Sequence, residues 1–173
     1  MKTGLKVYLL RRILRQAEGF TLLELTIVLV ISGILAAIAL PSFLNQASKA
    51  KQVEAKMYLG TLNHAQQGYM LEHSQFANDM NRLGIALYNS PNYRYSIQLD
   101  GTATQYAVHH AESLSSSLRP YVGMVAVLND SSSGATVDTV LCEAQTAQTG
   151  KAAQPVMGKD AVDCAPGSNA VGQ

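Results

Sequence analysis

Residues 25–48 carry no charged side chain, and only Thr26, Ser32, Ser42, Asn45, Gln46 and Ser48 interrupt the apolar run with polar groups. A helix over residues 25–44 would be about 30 Å long at ~1.5 Å per residue, the thickness of a bilayer's hydrocarbon core. The pattern then changes. Residues 46–72 contain no proline, and good helix formers dominate them. Ala55, Tyr58, Leu59, Leu62, Ala65 and Tyr69 recur at helical spacings and give one apolar face, with Lys49, Lys51, Glu54, Lys56 and Gln67 mostly off it. The two stretches predict one helix of about 50 residues, apolar in 20–44 and amphipathic in 45–72. Such a helix is too long for one globular domain to surround, so its apolar half is expected to project.

Pro41 stands inside this helix near the outer edge of the apolar run, where it removes one backbone hydrogen bond and is expected to bend the helix. Ser32 with Ala36, and Gly33 with Ala37, are small-xxx-small pairs that allow close approach of helices in lipid. Residues 73–92 lack a sustained period and read as a connecting loop, with a short helix near 78–83 and a turn at Asn89-Ser90-Pro91-Asn92. The period then becomes two. Tyr93, Tyr95, Ile97 and Leu99 alternate with Arg94, Ser96 and Gln98, a half-buried strand closed by the turn signal Asp100-Gly101. Further strands are predicted at 104–110, 121–128 and 136–142. The fold class is therefore α+β, with a roughly four-stranded antiparallel sheet over residues 93–142 packed on the amphipathic half of the helix. After Glu143 the period fades. Residues 142–164 form a segment bounded by the two cysteines, and 165–173 are expected to be a flexible tail.

Charge alters the picture by giving the span a direction. Residues 1–19 hold Lys2, Lys6, Arg11, Arg12 and Arg15 against Glu18 alone. The other 154 residues hold 8 basic and 11 acidic side chains, so the formal +1 becomes −3 without the first 19. Basic residues beside a span stay in the cytoplasm, which sends the C-terminal part outward. That part is mildly acidic and gives no electrostatic reason to bind nucleic acid. Cys142 and Cys164 both lie in it, and an oxidising compartment favours a disulfide between them. A metal pair or a catalytic thiol competes with that reading, although two ligands do not complete a zinc site.

One residue breaks the apolar pattern. Glu24 opens the run, and the next charged residue is Lys49. Gly19-Phe20-Thr21-Leu22-Leu23-Glu24, followed by the apolar run and Pro41, resembles the class III signal of type IV prepilins and related pseudopilins. The resemblance implies a pilin fold and cleavage between Gly19 and Phe20 by a membrane prepilin peptidase, which also N-methylates Phe20. Residues 1–19 would be a cleaved cytoplasmic leader. It implies that Glu24 accepts the new α-ammonium of a neighbouring subunit and sets the register of a filament, with the apolar helix as membrane anchor and then filament core. A buried ion pair can specify register in this way, and a repeated heterologous contact makes an open helix rather than a ring. Partners would be further copies or other pilins, the peptidase, the pilus assembly machinery and, before assembly, the inner membrane. The end state would be an extracellular pilus. His64-Ala65-Gln66-Gln67-Gly68-Tyr69-Met70-Leu71-Glu72 with Phe76-Ala77 is similar to pilin-like proteins of the cyanobacterial group. The 19-residue leader is longer than in the commonest pilins that begin with phenylalanine, and Glu18 stands where a basic residue often precedes the glycine.

Other readings stay open from the residues alone. Ala37-Ile38-Ala39 fits a secretory cleavage site, with a released domain starting near Leu40. A permanently anchored binding domain is another. Within the resemblance, a minor pilin or a type II secretion pseudopilin is the alternative to a main filament subunit. Enzymatic signals are weak. His109 and His110 would point to opposite faces of a strand, and His64 and His73 have no matched acidic or thiol partner. There is no phosphate-binding glycine loop, no H-E-x-x-H and no G-x-S-x-G, so no catalytic residue, cofactor or metal is assigned.

Overall fold

The computed structural model describes residues 20–86, 90–130, 134–158 and 160–172. The leader 1–19, and with it Gly19, lies outside the described residues. Helix α1 (Leu22–His73) is followed by a single 3-10 turn (Met80–Leu83) capped by the Asp79 side chain. The strands are β1 (Tyr93–Leu99), β2 (Tyr106–Ser113), β3 (Tyr121–Asp130), β4 (Gly134–Ala144), β5 (Val156–Met157), β6 (Val162–Asp163) and β7 (Ser168–Ala170). Contacts divide the chain into two units, Met1–Asn45 and Gln46–Gln173.

In the first unit every described residue from Phe20 to Asn45 is exposed. Pro41 lies inside α1 without ending it.

In the second unit, hereafter the head, β1 to β4 form an antiparallel meander within a five-stranded sheet of order β1-β2-β3-β4-β7. The alternation of side chains sorts the sheet into two faces. Ala55, Leu59 and Leu62 of α1 pack with Tyr93, Tyr95, Ala111 and Tyr121 on one face. Complete burial of each leucine contributes about 1.5–3 kcal/mol, before ordering costs. On the other face Val108, Val122, Met124, Val140 and Cys142 pack with Ala152 and Val162 of the segment between the cysteines. The Cys142–Cys164 disulfide, with Cα atoms 5.7 Å apart, ties that segment down. The Asp138 carboxylate reinforces it by accepting from the Val162 N–H at 2.8 Å.

Three details go beyond the expectation. The four meander strands are joined by a fifth, β7, at the β4 edge. The residues after Cys164 are not a free tail, because Ser168–Ala170 pairs with Cys142–Ala144 of β4. That strand is too short to show a period of two, and it forms because β4 has an edge that β3 does not occupy. Gly167, at φ +87°, makes the turn into it. Finally, the buried face of α1 is rotated from the apolar stripe: Asn63 and Gln66 are buried, whereas Ala65 and Tyr69 are only half-buried. Gln66 is satisfied by the backbone of Ala77, donating to its carbonyl at 2.7 Å and accepting from its N–H at 2.9 Å.

Candidate functional site

The start of α1 gathers the sequence-predicted residues that the structure describes there. Thr21 and Glu24 form a capping box. The Thr21 hydroxyl accepts from the Glu24 N–H at 3.1 Å, and the Glu24 carboxylate accepts from the Thr21 N–H at 3.4 Å and its hydroxyl at 3.3 Å. The first turn of a helix leaves N–H groups without intrahelical partners, so a carboxylate there is favourable. Glu24 thus holds its own helix start before any second chain is considered. The sequence carries the signal for this box as T-x-x-E ahead of an apolar run. Phe20, on the predicted cut, precedes the helix and is 79 % exposed.

Beyond Glu24 the described surface of the unit carries no charge and is mostly apolar, with Thr26, Ser32, Ser42 and Asn45 as its polar side chains. Leu22, Leu29 and Phe43 are 81 %, 63 % and 68 % exposed, and the same holds for the large apolar residues between them. Gly33, between Ser32 and Ala36, has nothing within 4 Å of where a Cβ would stand, so its face is open to close approach by another helix. The helix is long and apolar enough to cross a membrane. Soluble monomers rarely expose apolar patches of more than a few hundred Å², so this surface is built for lipid or for other chains.

The head carries little that resembles chemistry. Among the described residues no group of three or more His, Cys, Asp or Glu is placed to hold a metal. Glu143 bridges Lys56 of α1 at 3.0 Å and Arg119 at 2.7 Å. Burial works against its charge, but the hydrogen bonds from Arg119 and Lys56 prevail and hold the carboxyl below its usual value. Lys56 also lies 5.5 Å from the centre of the Tyr121 ring, whose hydroxyl donates to Gln52. These contacts fasten α1 to β3 and β4 and leave no reactive group over. His109 faces α1 and His110 the opposite layer, and both are buried. Cys142 and Cys164 are consumed in the disulfide, so neither is a free thiol.

Known proteins share both parts of the chain. Residues 14–40 match the prokaryotic N-terminal methylation motif, and residues 52–165 match the family described as type IV pilin-like G and H. The chain belongs to that type IV pilin-like family. Its long helix and antiparallel sheet are the family's α+β architecture. It is 37 % identical over 114 residues to the type IV major pilin protein PilA of Myxococcus xanthus, covering 66 % of this chain and 50 % of that protein. It is 31 % identical over 97 residues to the type IV wide pilus major component PilA4 of Thermus thermophilus, covering 55 % of this chain and 73 % of that one. It is 36 % identical over 77 residues to the type II secretion system core protein G of Aeromonas hydrophila, covering 44 % and 53 %. The chain spans about half the length of the first and third of these relatives. No solved structure gives a significant match.

Proposed function

We propose that this pilin-like chain is a structural subunit of a type IV pilus or related filament. It enters the inner membrane with its N-terminus cytoplasmic, is cut between Gly19 and Phe20, is methylated on Phe20, and polymerises through its apolar helix. The single observation that carries this is the coincidence of the methylation motif with a helix half whose apolar side chains are uncovered. A charge at the centre of a membrane helix costs roughly 2.5–3.5 kcal/mol, and Glu24 lowers its own cost by standing at the helix start and capping it. In the filament its carboxylate would exchange the Thr21 contacts for the α-ammonium of a neighbour, a group that exists only after cleavage. Pro41 would let the helix bend as subunits pack. The role is structural and needs no cofactor.

The test is Glu24→Ala. The variant is expected to insert and to lose its leader at the normal rate, yet to be missing from sheared surface filaments. Normal filament incorporation in cells lacking other pilins would contradict the assembly role. A second reading, type II secretion pseudopilin or minor pilin, is favoured by the likeness to the secretion core protein G. Abundance in sheared filaments separates them, since a main subunit dominates that fraction and the others are scarce in it.

A further inference from the structure

Asn63 and His109 form a buried pair with room for one protonation state. Asn63 Nδ2 donates to the Val140 carbonyl at 3.1 Å, so its Oδ1 can only accept from His109 Nδ1, 2.8 Å away. The proton of the neutral imidazole therefore stands on Nδ1, and Nε2 keeps a lone pair. His109 is 0 % and Asn63 4 % exposed, and Nε2 has no hydrogen-bond partner among the described residues. Gly123, the register partner of His109 on β3, completes the arrangement. A Cβ at Gly123 would stand 2.4 Å from Asn63 Oδ1, so the carboxamide fills a notch left by the missing side chain.

We propose that the Asn63–His109 pair in the Gly123 notch is a latch between α1 and the sheet that closes only on a neutral imidazole and opens in acid. Protonating Nε2 would create a buried charge whose new N–H has no acceptor. No neighbour relieves it. From α1 the imidazole meets neutral Asn63, and the adjacent His64 is exposed; its register partners are Ile97 on β1 and Gly123 on β3. The one charge acting on it is that of His110, of the same sign; Glu54 and Glu143 act on Tyr93, and Glu143 on Tyr121, rather than on His109. Burial accordingly pushes the His109 pKa down to about 3. A base depressed in the folded state contributes full stability above its ordinary value near 6.5 and loses it as pH falls toward 3. His110, depressed to about 4 by burial and by Lys151, acts on the opposite layer.

The test follows the full chain in detergent micelles by NMR from pH 7 to pH 3, reading imidazole nitrogen shifts and amide exchange in residues 59–66. His109 should remain the neutral Nδ1–H form at pH 5, while protection of residues 59–66 falls progressively from about pH 6.5 toward 3. In His109→Gln a side-chain amide replaces the Nδ1–H donor without ionising. Its loss of protection between pH 7 and pH 4 should be roughly a hundredfold smaller than that of the wild type. His110→Gln, which removes the like charge, should shift the protonation of His109 slightly toward higher pH and move the release of residues 59–66 only slightly. Titration of His109 near 6.5 with helix protection unchanged would overturn the latch, as would His109→Gln releasing at the wild-type pH or His110→Gln abolishing the acid release. Should His109→Gln not fold, the wild-type titration decides alone.

Discussion

Leu29 and Leu59 belong to the same helix, yet the first is 63 % exposed and the second fully buried. Among the described residues every apolar side chain from Phe20 to Asn45 is exposed, whereas Ala55, Leu59 and Leu62 are sealed against three strands. Helix propensity does not separate the halves; the partner surface does. The head half is specified from within one chain, by a sheet shaped to receive it. The apolar half is specified from outside, by whatever surface replaces water around it. Under the proposed filament role, folding and assembly are thus divided along one element.

The sharpest way to break this division is to place the same charge in each half. Leu59→Asp puts a carboxylate in the core and should unfold the head, since an unpaired buried charge costs more than most of the ~5–15 kcal/mol that holds a domain together. Ile34→Asp should leave circular dichroism and melting of the head unchanged in detergent while removing the chain from membranes and filaments. Equal effects on head melting would deny the division. Next in size is the outer layer. Reducing Cys142–Cys164, or replacing both cysteines by serine, should cost the head about 3 kcal/mol and speed proteolysis of residues 145–165, with helix insertion unaffected. Gly123→Ala forces the Asn63 carboxamide out of its notch and strands Val140 O and His109 Nδ1, which should cost about 2 kcal/mol in denaturant melts. The smallest effect is electrostatic. Glu143, held below its usual pKa, contributes stability above pH ~4.5 that disappears as pH falls through its folded value. Glu143→Gln should therefore lower melting slightly at pH 7, flatten its pH dependence below pH 5, and do little at the acid end, where the wild type has already lost the same contribution.

The elements with a sustained period were legible in the sequence. The unbroken apolar run, the 46–72 face and the alternation from Tyr93 to Leu99 each repeat long enough to fix a type, and β1 to β4 lie where these patterns place them. What escaped was polar or brief. Asn63 and Gln66 follow Leu59 and Leu62 around the helix, but hydropathy cannot show that Val140 O, His109 and Ala77 wait to satisfy them. Gly123 inside an apolar strand signalled a close approach, though not by which side chain. β7 has three residues and no alternation to detect. At the site, Gly19, Phe20 and Glu24 read as a motif whose charge calls for a partner, and the Thr21–Glu24 box supplies a local one.

The most direct measurement is mass spectrometry of the subunit recovered from mechanically sheared surface filaments. The proposal expects the chain in that fraction with an N-terminal peptide that begins at Phe20 and carries one methyl group on its amine. A chain confined to the membrane with Met1 intact, or released with a start near Leu40, would contradict it.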